Sequence, residues 1–407
     1  CTMRILHTSD WHLGQHFIGR SRAAEHQAFL RWLVELAKQQ QIDAIVVAGD
    51  IFDTATPPSY ARELYNQFIV ELQPSRCQLV ILAGNHDAAA VLNESKNLLQ
   101  YLNTRVFASS TAELSEQLLL LHNQQQQPAA LLCAVPFLRS RDLLQSQAGQ
   151  SGSDKQRSLQ QAIAQHYQQL FQLAQQHNLQ HQQQLPIMMT GHLTTLGVSR
   201  SESVRDIYIG TLEAFPADAF PPADYIALGH IHQSQQLKAA SDIRYSGSPL
   251  ALSFDEAGQQ KQLWLVEFNA GEKTVSSVSV PCFQPLCSIS ASLAEVQEKV
   301  QQATAKLAAG QTLWLELVIS AADAYLTDLQ QRVEPLLQDL PVELLRLRRQ
   351  RSATATAFAA PEQQSLAELT PLQVWQARLD SETLSDEQQQ RLTALHQQVL
   401  AKVEAAE

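Results

Sequence analysis

The chain has 407 residues, 45% of them hydrophobic, with 29 basic against 40 acidic side chains and a formal net charge of −11. That length suits two or three domains with sizeable cores, and the acidic balance excludes a protein that coats nucleic acid by charge alone, because phosphate binding draws on clustered Lys and Arg. No apolar run has membrane-spanning length and no signal-peptide core stands at the start; the five cysteines form no Cys-x-x-Cys pair and read as reduced, mostly buried thiols of a cytoplasmic protein.

A first strand is predicted over 4–7, ending in Thr8-Ser9-Asp10-Trp11-His12-Leu13-Gly14. A helix follows over 21–38, with Phe29, Leu30, Leu33, Val34 and Ala37 on one stripe. The β-branched run 42–47 reads as a strand buried on both faces. It stops at Gly49-Asp50, so Asp50 stands at the carboxyl edge of a sheet, where open α/β sheets build their sites. Pro57-Pro58 opens a helix that runs to about residue 73. A third strand, 79–83, delivers Gly84-Asn85-His86-Asp87, and a helix is expected over 93–102.

Further on, a strand over 131–136, a loop over 149–153 and a long polar helix over 155–179 are expected. Strand 186–190 ends in Gly191-His192, and strand 224–228 ends in Gly229-His230-Ile231-His232. Short strands follow at 243–245, 263–268 and 274–280, the last two spaced as a hairpin about Asn269-Ala270-Gly271. The pattern changes near 281–285. Helix 294–308, strand 312–319, helix 325–337 and the basic strand 342–349 suggest a small α+β module. An Ala/Thr-rich linker over 352–360 precedes two helices, 365–379 and 385–403, the second opening on the capping box Ser385-Asp386-Glu387-Gln388. The expected domains are therefore 3–283, 284–350 and 351–407.

Five strand ends carry the same kind of side chain: Asp10-x-His12, Asp50-x-x-Asp53, Asn85-His86-Asp87, His192 and His230-x-His232. Carboxylate and amide oxygens mixed with imidazole nitrogens suit Mn²⁺, Fe²⁺ or Zn²⁺ rather than a thiolate-lined structural zinc. Asp50 has two oxygens and can bridge two cations. Each piece alone is weak: a Gly-Asp is more often a turn, and a Gly-His more often a loop histidine. Their recurrence in order, each at a strand end, is what points to a metal centre.

This order of motifs resembles the calcineurin-like metallophosphoesterase superfamily, on HTSDWHLG (7–14), AGDIFD (48–53), AGNHD (83–87), TGHLTT (190–195) and ALGHIH (227–232), over roughly the first 280 residues. Within it the chain resembles the SbcD family of bacterial nucleases, through SVRDIYIGTLEAFP (203–216), YSGSPLALSFDE (245–256) and the two-helix tail. The resemblance implies an α/β fold: a four-layer β-sandwich flanked by helices, a small α+β capping domain and a C-terminal two-helix segment.

It further implies two divalent ions, Mn²⁺ first among them, one held by Asp10, His12, Asp50 and His232 and the other by Asp50, Asn85, His192 and His230. His86 would bind no metal and lie over the scissile phosphate. Asp53 matches an acidic residue that pairs with that histidine in some members. The implied activity is a metal-dependent DNA nuclease, exonucleolytic on duplex ends and endonucleolytic on single strands or hairpins, serving DNA repair, recombination and replication. Its implied partners are DNA, an SMC-like ATPase of the SbcC type in a heterotetramer, and a second copy of the chain through helices 57–73 and 93–102.

The basic run 344–351, with Arg346, Arg348 and Arg349, is either a solvated strand face or a DNA contact. A small-molecule or protein phosphoesterase is the competing activity. Against it, Thr54 follows Asp53 where protein phosphatases place a phosphate-gripping arginine, and Asp87 stands where they carry glutamate. A cyclic-nucleotide diesterase needs no annex of about 120 residues. A non-catalytic adaptor is a third reading, disfavoured because no ligand position is missing. Histidines 16, 26, 122, 166, 177, 181 and 396 read as surface or helix residues, and His7 as core.

Overall fold

An apolar strand without polar alternation needs cover on both faces, and the strand Ala44–Ala48 has it: all five residues are buried. Ile45 and Val47 face a cluster shared with two helices, while Ala44 and Val46 face a second sheet. The same period of two divides Ile226 and Leu228 from Tyr225 and Ala227 on the strand Tyr225–Gly229. The computed structural model describes residues 2–350 other than 112, 144–151, 200, 202 and 205–213, together with residue 392. The predicted two-helix tail and most of the 203–216 motif lie outside the described residues.

The first sheet has six strands, in the order Glu272–Ser279, Gln262–Asn269, Thr2–Thr8, Ala44–Ala48, Gln78–Leu82, Thr104–Phe107. The last four are mutually parallel. The second sheet also has six, in the order Gln235–Gln236, Ile243–Tyr245, Tyr225–Gly229, Ile187–His192, Pro128–Cys133, Leu118–His122. There the central four are parallel. Helices Ala23–Gln39 and Ser59–Leu72 cover the outside of the first sheet through Phe29, Leu33, Phe68 and Ile69. The long helix Gly152–Gln180 covers the second through Ile163, Tyr167, Leu170 and Ala174. The result is helix, sheet, sheet, helix: the four-layer sandwich that the sequence resemblance implies.

The described residues divide into two compact units, 2–288 with 303–316 and 341–346, and 289–302 with 317–340 and 347–350. In the second unit, Ile289, Ala291, Leu317 and Ile319 are buried together with Val296, Val300, Leu329, Val333 and Leu337 from helices Val296–Thr304 and Leu329–Leu337.

Several elements differ from expectation. The single helix over 93–102 is two short ones, Ala89–Asn93 and Lys96–Leu99, and a 3₁₀ turn. Asn93 and Ser95 stand at the break, residues whose short polar side chains compete with helical hydrogen bonding. The hairpin loop is the two-residue Ala270-Gly271, both at positive φ, with Asn269 still paired to Glu272. That is the primed turn whose twist matches the strands. Strands Thr104–Phe107, Leu118–His122 and Leu286–Ala291 have no counterpart in the sequence reading. All three lie at sheet edges. The four described cysteines are unpaired, and no described helix is long and apolar enough to cross a membrane.

Candidate metal centre

Parallel strands end at a common edge, so loops far apart in sequence meet there. Asp10 and His12 follow the strand Thr2–Thr8, Asp50 follows Ala44–Ala48, and Asn85 follows Gln78–Leu82. His192 closes Ile187–His192, and His230 and His232 follow Tyr225–Gly229. The loops brace one another: the Asp10 amide donates to the Gly49 carbonyl (2.9 Å), and the His12 amide to that of Asp50 (3.1 Å). Asp10, His12, Asp50 and His230 all have positive φ (54°, 47°, 52° and 96°). Non-glycine residues adopt that conformation rarely, and such strain gathers where surroundings hold a side chain to a task.

Potential ligand atoms converge in three overlapping groups: Asp10, His12 and His232; His12, Asp50 and His86; Asp50, His192 and His230. Within each, they lie within 4.8 Å of one another. All but His86 are almost wholly buried. Asn85 joins the last group, its Oδ1 2.9 Å from His192 Nε2.

The hydrogen bonds outside the cage decide which nitrogens face into it. His192 Nδ1 lies 2.9 Å from the Ala48 carbonyl, which only accepts, so Nδ1 carries the hydrogen. Its Nε2 lone pair then faces Asn85 Oδ1 and, at 3.2 Å, Asp50 Oδ2. Three acceptors so placed repel unless a positive charge stands among them, a proton on Nε2 or a metal ion in its place. His12 Nδ1 donates to Asp53 Oδ1 (3.1 Å), which turns its Nε2 inward, buried and without a hydrogen-bond partner. His230 Nε2 is likewise buried and unpartnered. Buried polar atoms are ordinarily satisfied. Orphaned imidazole nitrogens beside carboxylates are the donor set of a divalent metal site, and the residues fit one.

The electrostatics agree. With protons as the only counter-charge, burial works against a charged His192, but Asp50 outweighs it and raises the imidazole to about 9. For His12, burial is likewise overcome, by the Asp53 hydrogen bond and the charges of Asp50 and Asp10. Asp50 is held well below the usual carboxylate range; burial opposes its ionisation, and the neighbouring histidines, His192 first, prevail. His230 is pushed well below its ordinary value by burial and then by His192. A divalent ion entering the cage displaces a proton from such histidines, so its affinity rises with pH.

Two residues hold the loops without entering those groups. Asp87 is buried, and its carboxylate accepts the amides of Ile51 (3.1 Å), Phe52 (2.9 Å) and Gly84 (2.8 Å), tying the Asp50 loop to the Asn85 loop. Burial, then the charge of Asp50, pushes it up to about 6. The sequence shows Asp87 only as part of a motif; its three amide partners are visible only once the loops are folded together. Asp53 serves two histidines. Its carboxylate meets His12, and its backbone carbonyl accepts from His86 Nδ1 at 2.6 Å. Asp53 thus meets His86 through its backbone carbonyl and His12 through its carboxylate. The His86 ring stands 4.7 Å from that of His12.

On the basic strand Val342–Arg349, Arg346 is half-buried, with its guanidinium on the Glu316 carboxylate and 5.4 Å from the Phe254 ring. Arg348 and Arg349 are exposed, and Arg349 donates to the Leu326 carbonyl (3.0 Å).

A family model described as calcineurin-like phosphoesterase matches residues 3–234, and one described as type 5 capsule protein repressor C-terminal domain matches 282–383. The SbcD component of the SbcCD nuclease of Escherichia coli (strain K12) is 50% identical over 394 residues, covering 97% of this chain and 96% of its own. The proteins of the same description from Rhodobacter capsulatus and Bacillus subtilis are 34% and 31% identical over 390 and 328 residues. They cover 91% and 79% of this chain, and 92% and 80% of their own.

Proposed function

This chain belongs to the SbcD family of calcineurin-like phosphoesterases, a family of nucleases, and we propose that it hydrolyses the DNA backbone with two divalent ions held in the strand-end cage. The observation that carries this reading is the meeting of His192 Nε2, Asn85 Oδ1 and Asp50 Oδ2, three acceptors within hydrogen-bond distance, flanked by the orphaned nitrogens of His12 and His230. One ion would be held by Asp10, His12, Asp50 and His232, the other by Asp50, Asn85, His192 and His230, with Asp50 shared. The mixed oxygen and imidazole donors suit Mn²⁺, Fe²⁺ or Zn²⁺, and the family resemblance puts Mn²⁺ first among them.

Bound there, they supply positive charge to an anionic phosphodiester and acidity to water near neutral pH. The residues do the rest. Asp50 Oδ1 accepts the His86 amide at 2.9 Å, which fixes the His86 loop against the cage. With His86 Nδ1 bonded to the Asp53 carbonyl, Nε2 is the nitrogen left to carry a proton to the departing oxygen. His86 and, of the proposed ligands, Asn85 are partly exposed while the remaining ligands are buried, so substrate enters from their side.

The substrate is DNA, cut from duplex ends and within single strands or hairpins, in repair, recombination and replication in the cytoplasm. Residues 3–283 form the nuclease core, 284–350 a capping domain and 351–407 a linker and partner-binding segment. Contact with DNA backbone is assigned to the exposed Arg348 and Arg349; Arg346 is engaged by Glu316. The partner is an SMC-like ATPase of the SbcC type in a heterotetramer, in which two copies of this chain meet through helix Ser59–Leu72 and the segment 93–102.

The test is incubation of the purified chain with Mn²⁺ and end-labelled duplex DNA beside Asp50→Asn and His86→Ala. Wild type degrades the DNA; Asp50→Asn loses metal and activity together; His86→Ala keeps its metal and loses cleavage. Equal degradation by all three would show a contaminating nuclease and end the proposal.

A further inference from the structure

Two motifs outside the metal loops meet at one buried carboxylate. The first begins at Ser203 and the second closes at Glu256. Glu256 is fully buried and accepts on both oxygens. Oε1 takes hydrogen bonds from Ser203, from Ser201 (2.8 Å) and from Ser253 (3.2 Å). Oε2 takes them from Lys261 Nζ (2.5 Å), the Leu252 amide (3.1 Å) and Ser248 (3.3 Å). Lys261 also donates to the His232 carbonyl (3.1 Å).

An ionised carboxylate is an acceptor only, so the hydroxyl protons around it point inward to it. Ser203 has one proton, and Glu256 takes it. Its lone pairs remain, and His232 Nδ1 lies 2.6 Å away. That nitrogen must then be the donor. Ligating histidines are held in this way, by an acceptor on the far nitrogen that fixes both tautomer and ring orientation.

We propose that Ser203 is a positioning residue of the metal centre: anchored by Glu256, it receives the Nδ1 hydrogen of His232 and leaves Nε2 turned toward Asp10 and His12. The assignment rests on His232 being a metal ligand. Ser203 touches neither ion nor substrate. A purely structural role for it would end at satisfying Glu256, and would leave the tautomer of His232 unaffected.

Two measurements on the full chain separate these roles: nitrogen NMR of isotope-labelled histidine in the metal-free protein, and Mn²⁺ titration, each on wild type, Ser203→Ala and Ser203→Thr. Wild type and Ser203→Thr carry the His232 hydrogen on Nδ1, and Ser203→Ala shifts it toward Nε2. Ser203→Ala weakens one of the two ion sites by roughly 10–100-fold and lowers the metal-free melting temperature only modestly, since Glu256 keeps five other donors, while Ser203→Thr restores affinity. A wild type that binds ions but carries the hydrogen on Nε2, or Ser203→Ala with wild-type tautomer and affinity, overturns the assignment alone. A wild type that takes up no divalent ion overturns the metal-centre reading, and this one with it.

Discussion

His7 ties the two sheets together through one ring. It sits on the first strand, wholly buried, with Nε2 3.1 Å from the Leu228 carbonyl and Nδ1 2.9 Å from the Tyr225 hydroxyl. The carbonyl only accepts, so Nε2 carries the hydrogen and Nδ1 accepts from Tyr225. Burial drives its pKa down to about 3. An unfolded chain protonates this side chain near pH 6.5, while the folded one does not until about 3. Between those values the unfolded state holds the extra proton, so stability falls as pH falls, by about 1.4 kcal/mol per pH unit for this group. Chemical unfolding of the metal-free protein between pH 7 and 4.5 should contain that contribution beside those of His26 and His166, which burial lowers in the same sense. His7→Phe should start lower, by about 1–3 kcal/mol for the stranded Tyr225 hydroxyl, and fall less steeply. A slope that the substitution leaves alone would place the acid sensitivity elsewhere. At this scale the sequence was readable for residue type and silent on direction. Asp10, Asp50 and the motif histidines announced themselves by recurring at strand ends, whereas the aim of Asp87 at three amides and of Ser203 at His232 depends on loops that meet only in three dimensions.

At the scale of elements, the central strands were legible because burial on both faces leaves an unbroken apolar run, and the glycine or carboxylate that stops each run marks its end. The edge strand Leu118–His122 passed unnoticed although its four leucines form such a run, and Leu286–Ala291 did so because serines interrupt its pattern. Close approach is the second thing a sequence hides. Gly49 has φ +98°, and a Cβ there would strike the His192 ring at Nδ1, the atom bonded to Ala48. Gly271, in the hairpin loop, has a similar φ of +91° with open space around it. Both lose the conformational freedom of glycine on substitution, at about 1–2 kcal/mol. Only Gly49→Ala also displaces a ligand. Melting curves and Mn²⁺ titrations of the two variants should therefore diverge: Gly271→Ala binds as wild type does, and Gly49→Ala loses tenfold or more in affinity. Matching affinities in the two would mean that His192 is not held where the strand end puts it.

The whole molecule has to bring an acidic chain to an acidic polymer. With a net charge of −11, the proposed function requires attraction to DNA from elsewhere, and the proposed ions, the exposed Arg348 and Arg349 and the proposed partner are its candidate sources. The sequence beyond the described fold bears on the last of these. Apolar stripes at Leu366, Leu369, Leu372, Trp375 and Leu379, and at Leu392, Leu395, Val399 and Leu400, follow the Ala/Thr-rich stretch 352–360. Amphipathic helices on such a tether suit docking into the groove of another protein. All seven proposed metal ligands lie between Asp10 and His232, on strand ends whose packing draws on residues before 289. Partner binding and metal binding should thus be separable. Removing 361–407 is expected to abolish co-purification with an SbcC-type ATPase and to leave Mn²⁺ affinity within about twofold of the full chain, well inside the tenfold steps that a lost ligand contact produces. A shortened chain that still co-purifies would move the docking surface onto the folded units, and one that loses its metal would tie the tail to the stability of the sandwich itself.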